Sequence, residues 1–221
     1  MTDLAQLCKD MEAFETPRWA VEAVLDRELT TRRVIDPCSG LGMIAYVCDR
    51  RGLDVEAIDL VDWQRHMPED IRFPLTKVCN FLDVAGHLPN HTVIMNPPFS
   101  AAEAFVDRAL ELGARKIICF QRQAWRESVG RRAWWEANPP ARVWVCGARA
   151  TCWRFDLLEC QHADASSDCP NLKRRGKKLE TQGCARCLGG VPTSHAWYVW
   201  ERGHKGAEVT SAIYPPEADD G

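Results

Sequence analysis

The chain has 221 residues, of which 46% are hydrophobic and 27% charged, with a formal net charge of -3 and eleven cysteines. That size and balance fit one globular domain with a full core and a small appendage, and argue against a second full domain. No run approaches the roughly 18 uncharged apolar residues of a membrane helix, and the first residues lack the basic-then-apolar pattern of a signal peptide, so the expectation is a cytoplasmic protein with no membrane partner.

The slightly acidic charge argues against a coat of positive charge and still allows a local basic patch. In a cytosolic chain the cysteines read as buried thiols or metal ligands rather than disulfides.

In chain order, Ala13-Phe14-Glu15-Thr16-Pro17 precedes a helical pattern over Arg18 to Arg27, with Thr16 and Pro17 suited to the N-cap and first helical position. From Arg33 to Phe120, short β-rich runs alternate with helical stretches. Strands are expected at Arg33 to Asp36, Asp54 to Asp59, Leu75 to Cys79, Thr92 to Met95 and Lys116 to Phe120, and helices at Leu41 to Arg51 and Ala101 to Leu112. Repeated β-α units imply a parallel sheet with helices on both faces and ligands at the carboxyl ends of the strands. Ala141 to Cys146 and Ala196 to Trp200 are two further strands, expected to form an antiparallel hairpin at one edge. Between them, Cys160 to Ser194 is polar, Gly-rich and basic, and reads as an inserted loop or miniature module. The tail after Tyr214 reads as disordered.

Two turns at strand ends carry the chemistry. Val34-Ile-Asp36-Pro37-Cys38-Ser39-Gly40-Leu-Gly42 runs from a strand through glycines into a helix, where free N–H groups and a bare backbone suit a nucleotide-like ligand. Asp59, ending the next strand, can accept from both hydroxyls of a ribose. The spacing formally matches a dinucleotide fingerprint, but four residues separate strand from glycines, and Asp36 would repel a pyrophosphate while attracting a cationic sulfonium bearing a free amine. That favours S-adenosylmethionine over NAD; a plain strand-to-helix turn is the alternative. The second turn, Asn96-Pro97-Pro98-Phe99, follows an apolar strand and fixes two backbone torsions in succession.

Together these residues resemble the S-adenosylmethionine-dependent methyltransferases. Asp36 to Gly42 looks like their first motif, and Asn96-Pro97-Pro98-Phe99 like the (Asn/Asp/Ser)-Pro-Pro-(Tyr/Phe/Trp) motif of those that methylate exocyclic amines of DNA bases. Phe14-Glu15-Thr16-Pro17 resembles the segment that closes over the cofactor in adenine-N6 enzymes. The resemblance covers Phe14 to about Phe120 and is greatest to short, phage-type adenine methyltransferases.

It implies a doubly wound, mostly parallel seven-stranded α/β sheet of the class I methyltransferase (Rossmann-like) type with an antiparallel edge hairpin. The implied organisation is a core over residues 1–159, a Cys/basic insertion at 160–194, the final strand of the core within 195–214, and a tail at 215–221. By the same resemblance Asp36 and Gly40 contact the methionine part of the cofactor, and Cys38, in the same turn, is counted with the cofactor-binding residues. Phe14 and Thr16 contact its other flank, and Asp59 its ribose. The family often has Asp-Phe after the third strand; here Asn80-Phe81 stands there, followed by Asp83, which leaves open which side chain meets the cofactor's adenine amine.

The turn's chemistry follows from the acceptor. An exocyclic amine is a poor nucleophile because its lone pair is delocalised into the ring. The Asn96 side-chain oxygen and the Pro97 carbonyl can both accept from that NH2, with the prolines holding them still and Phe99 offering a face for an extruded base. Cytosine carbon-5 methylation would need a Cys on this loop, and there is none. The expected substrate is double-stranded DNA. Cytosine-N4, RNA adenine and protein glutamine methylation share the motif, and a catalytically idle nucleic-acid-binding module is a reading of a different class.

In the insertion, Cys160, Cys169, Cys184 and Cys187 could hold one structural zinc, with His162 or His195 able to replace a thiolate; the alternative is unpaired thiols. Lys173, Arg174, Arg175, Lys177 and Lys178 form the densest basic run, a DNA contact or a solvated loop. Arg122, Arg126, Arg131 and Arg132 are further phosphate candidates, interleaved with Trp125, Trp134 and Trp135, which read as a helix with a tryptophan core face.

Overall fold

The structure is a computed structural model that describes residues 3–158, 172–175, 178–181 and 193–216. In chain order its elements are α1 (Leu4–Asp10), β1 (Phe14–Glu15), α2 (Arg18–Leu25), β2 (Arg33–Asp36), α3 (Met43–Arg50), β3 (Asp54–Asp59), β4 (Lys77–Val78), β5 (His91–Met95), α4 (Ala102–Glu111), β6 (Lys116–Arg122), α5 (Arg132–Ala137), β7 (Arg142–Cys146), β8 (Trp153–Arg154), β9 (Leu172–Arg175), β10 (Lys178–Thr181), β11 (His195–Glu201) and β12 (Val209–Ile213), with short 3-10 turns between them.

The main sheet has the order β12-β7-β11-β6-β5-β2-β3-β4. Every neighbouring pair is parallel except those made by β11, which runs antiparallel to both β6 and β7. Period-two alternation explains why both faces are covered. Val93, Met95, Ile117, Cys119, Tyr198 and Trp200 face one core with Phe105, Val106 and Ala109 of α4. Ile94, Ile118, Phe120, Trp197 and Val199 face the other with Ala20, Val21 and Val24 of α2 and Ile44 and Val47 of α3. A third cluster packs Cys8 and Ala13 with Leu41, Trp63, Met67 and Phe155, which brings the N-terminal segment over the carboxyl ends of the strands.

The expected doubly wound, mostly parallel architecture is present, with three differences. The sheet has eight strands rather than seven, because β12 adds outside β7 and pairs parallel to it. Residues 195–214 therefore hold two strands rather than one final strand, and the antiparallel β7–β11 pair lies one strand inside the edge. Thr16 does not cap α2: Pro17 is the N-cap, with no side-chain cap bond, and the Thr16 hydroxyl is used elsewhere.

Part of the insertion forms a hairpin, β9 against β10, pairing Arg175 with Lys178, Arg174 with Leu179 and Lys173 with Glu180. The basic run is thus partly strand rather than loop. Lys177 and the four cysteines Cys160, Cys169, Cys184 and Cys187, with His162, lie outside the described residues.

Candidate functional site

β2 pairs with β3 on one side and β5 on the other, so the sheet's winding direction reverses there and a crevice opens beyond the carboxyl ends. Both sequence turns leave the sheet at this crevice. The first is shaped by its glycines: Gly42, the N-cap of α3, has φ +89°, and a Cβ there would come within 2.6–2.8 Å of the Phe73 backbone and Cβ. Gly40 has φ +57°, and its bare face receives the Phe155 ring, whose Cζ would lie 2.5 Å from an added Cβ. The protein's own packing therefore uses the room that sequence reasoning assigned to a ligand.

Phe14, Cys38, Gly40, Asp59, Asn80, Phe81, Asn96 and Pro98 line one cavity of about 330 Å³, bounded also by Met11, Glu12, Leu60, Trp63 and Phe155. That volume lies within the range of small-molecule sites. Thr16, Glu15 and Ser39 line a small void behind it, shared with Phe14, Cys38, Gly40 and Asn96. Asp36, Pro97 and Phe99 are not on the wall of the larger cavity.

The acids differ in their bonding. One Asp59 oxygen accepts from Gly40 N at 2.8 Å and the other from Val61 N at 2.9 Å, so this carboxylate braces the glycine turn from inside the cavity wall. Asp36 is fully buried, with no hydrogen bond of strict geometry and with the Ser39 hydroxyl and the Cys38 and Ala45 N–H groups as its neighbouring donors. Desolvation pushes it up to about 7. Glu15 is pushed up to about 7 by the same cause, against the opposing pull of Arg72, whose Nε lies 3.8 Å from Oε1. Glu15 and Ser39 line the small void and lack close hydrogen-bond partners there, which fits a ligand that brings positive charge and N–H groups. Burial, then Asp36 and Asp59, push the Cys38 thiol well up, which makes it no thiolate nucleophile.

The second turn is held from several sides. Asn96 Nδ2 donates to the Phe14 carbonyl at 3.3 Å and to Thr16 Oγ1 at 3.0 Å. A carbonyl can only accept, so this contact fixes the amide's orientation and leaves Oδ1 turned from the Phe14–Thr16 segment. Gln121 Nε2 donates to the Pro97 carbonyl at 3.1 Å. The Phe99 ring lies 5.7 Å from that of Phe14, and the Arg122 guanidinium stands over it, 4.0 Å from its centroid. Just beyond, Ser100 N and Oγ both donate to Glu12 Oε2, and Glu12 itself has φ +48°, a conformation few non-glycine residues hold without a constraint.

Asn80 Oδ1 accepts from Leu82 N and its Nδ2 donates to Asp83, so Asn80 rather than Asp83 reaches the cavity wall. The other arginine candidates are engaged: Arg126 with Glu208, Arg131 with Glu103 and Arg132 with Glu136. Trp125 and Trp135 are buried, in an aromatic cluster with Trp134, Tyr198 and Trp200, as the core-face reading expected. His195 is buried in β11, stacked on Phe120, with Cys152 Sγ 3.8 Å from its Nε2. Among the described residues no group of three or more His, Cys, Asp or Glu is placed to hold a metal ion, and no helix is long and apolar enough to cross a membrane.

Sequence reasoning missed Glu12, Glu15, Phe155 and Gln121 at this site. Only Glu15 carried a local signal, its place inside the Phe14 to Pro17 segment.

No family model and no curated protein matches the chain. Among solved structures, a Thermoplasma acidophilum protein superposes with a TM-score of 0.51 at 20% identity, covering 84% of this chain and 88% of its own. A predicted O-methyltransferase from Agrobacterium tumefaciens gives 0.51 at 11% identity over 90% and 86%. At these identities the likeness is one of fold, the Rossmann-like fold of methyltransferases.

Proposed function

We propose that the protein transfers a methyl group from S-adenosylmethionine to the N6 amine of adenine in DNA. The observation that carries this reading is the Asn96 amide: its nitrogen is consumed by Phe14 and Thr16, and its oxygen is left for an incoming NH2 beside the 330 Å³ cavity.

Asp36, Glu15 and Ser39 are the groups that would take the ammonium of the cofactor's methionine part. Leu60, Phe81 and Asn80 would border its adenine, with Asp59 near the ribose. When bound, the cofactor supplies an electrophilic methyl on sulfur. Asn96 Oδ1 and the Pro97 carbonyl accept from the amine, localise its lone pair and aim it at that methyl. With the cofactor bound, the amine would take the methyl as the carbon–sulfur electron pair went to sulfur, and the surplus amine proton would leave to water. Reaching the amine requires the base to leave the duplex, and Phe99 with Arg122 would form the stacking wall for it.

The basic residues Lys173, Arg174, Arg175, Lys177 and Lys178 are proposed phosphate contacts. Cys160, Cys169, Cys184 and Cys187 are proposed to hold one zinc, which elemental analysis of protein purified without chelators would find at one per chain, or refute by finding none.

Protein incubated with tritiated methyl donor and unmethylated plasmid, RNA or total protein, followed by digestion, tests the function. Label in N6-methyldeoxyadenosine supports it. Label only in N4-methyldeoxycytidine, in RNA or in a glutamine amide overturns it.

A further inference from the structure

Gln121 is a polar side chain that follows the apolar run Ile117, Ile118, Cys119 and Phe120 near the carboxyl end of β6, and it is 1% exposed. Burying an amide without partners is costly, so its contacts are specified rather than incidental. Its backbone is paired across to Ala196 of β11. On the other side, the parallel β5–β6 ladder reaches Met95 opposite Cys119 and stops, because Pro97 and Pro98 have no N–H to continue it. The Gln121 side chain spans that gap and donates to the Pro97 carbonyl at 3.1 Å.

A carbonyl oxygen has two lone pairs. One is taken by Gln121, the one donor to this oxygen among the described residues.

We propose that Gln121 is a positioning residue: by holding one lone pair of the Pro97 oxygen from inside the protein, it aims the other at the substrate amine, across from Asn96 Oδ1. The inference rests on the amine-methylation reading above. The Phe14–Thr16 clamp on Asn96 and the Gln121 clamp on Pro97 are then matching devices, one for each acceptor of the same NH2. A purely structural strand tie predicts loss of stability without a change in the chemical step, whereas an aimed acceptor predicts a loss in kcat.

The test uses the full chain with tritiated methyl donor and unmethylated duplex, and compares wild type with Gln121→Ala and the near-isosteric Gln121→Glu from pH 5.5 to 9. Gln121→Ala is expected to lower kcat about 10- to 100-fold while leaving KM for the methyl donor within about twofold. Gln121→Glu can donate to Pro97 only when protonated, and burial raises a carboxyl's pKa into this range. Its kcat relative to wild type is therefore expected to climb as the pH falls, a signature a packing role does not produce. If Gln121→Ala fails to fold, the pH profile of Gln121→Glu decides alone. A wild type that is active, with variants whose kcat and pH profile parallel it, overturns the role of Gln121 only. A wild type that labels no exocyclic amine overturns the functional reading and this inference together.

Discussion

The Asn96 amide nitrogen lies 3.0 Å from the Thr16 hydroxyl, joining two segments 80 residues apart in sequence. Thr16 is buried, and its hydroxyl, free of any helix-capping duty, has this contact as its role. Thr16→Val keeps the shape and removes the oxygen, leaving Asn96 held by the Phe14 carbonyl alone. Methyl transfer should fall roughly 10-fold, equivalent to about 1.4 kcal/mol, with little change in melting temperature. Unchanged turnover would show that the amide needs no second anchor.

The two glycines of the first turn should differ when changed to alanine. At Gly42 an added Cβ meets the Phe73 backbone and the residue must hold φ +89°; at Gly40 it meets the far end of the Phe155 ring, which can rotate or shift. Gly42→Ala should lower stability by about 2 kcal/mol or more, and Gly40→Ala by less, as read by chemical denaturation. The reverse order would mean that Phe155 is fixed more firmly than the Phe73 chain.

Asp36 gives a pH dependence with a definite sign. Its folded-state pKa, raised to about 7 by burial, lies above the unfolded value of about 3.9, so the folded protein holds that proton more tightly. The associated stability is present below about pH 4 and is lost as the pH rises through 7. Glu15 acts in the same direction; His195, lowered to about 4 by burial and by Arg122, acts oppositely and withdraws stability as the pH falls from 6.5. Asp36→Asn should flatten the decline in melting temperature between pH 5 and 7.5. A cationic cofactor beside Asp36 favours its carboxylate, so binding should release protons near pH 6.5, and affinity should rise toward pH 8. Calorimetry in two buffers of different ionisation heat measures this, and the absence of proton release would contradict it.

At the opposite end of the sheet, Glu28 accepts from Lys116, Arg142 and the Trp144 indole while nearly fully buried. Burial opposes its charge, yet these bonds outweigh it and hold the carboxyl below its usual range. Glu28→Ala leaves Lys116 and Arg142 with Glu201 as their one remaining carboxylate and should cost about 3–5 kcal/mol by denaturation, with cofactor affinity unchanged because the site is remote. A loss under 1 kcal/mol would show that Glu201 suffices for both.

Much of the sheet was legible because its inner strands are short apolar runs between turn residues. β12 was not: Val209-Thr-Ser-Ala-Ile213 is largely exposed at an edge, so its composition carries no burial signal. The two motif turns were legible because glycine and proline act locally. Phe155 on Gly40 and Gln121 on Pro97 were not, since each contact joins residues far apart in sequence and follows from how the strands are laid side by side. For the same reason the glycines were recognised while their packing partners were not.

Whether Asn96 grips an exocyclic amine is decided by single-turnover methyl transfer with Asn96→Ala, with enzyme and methyl donor both saturating over unmethylated duplex. If the amide acts on the amine, N6-methyldeoxyadenosine formation should slow by about 100-fold or more, with the methyl donor's dissociation constant within a few-fold of wild type. Transfer at the wild-type rate would contradict it.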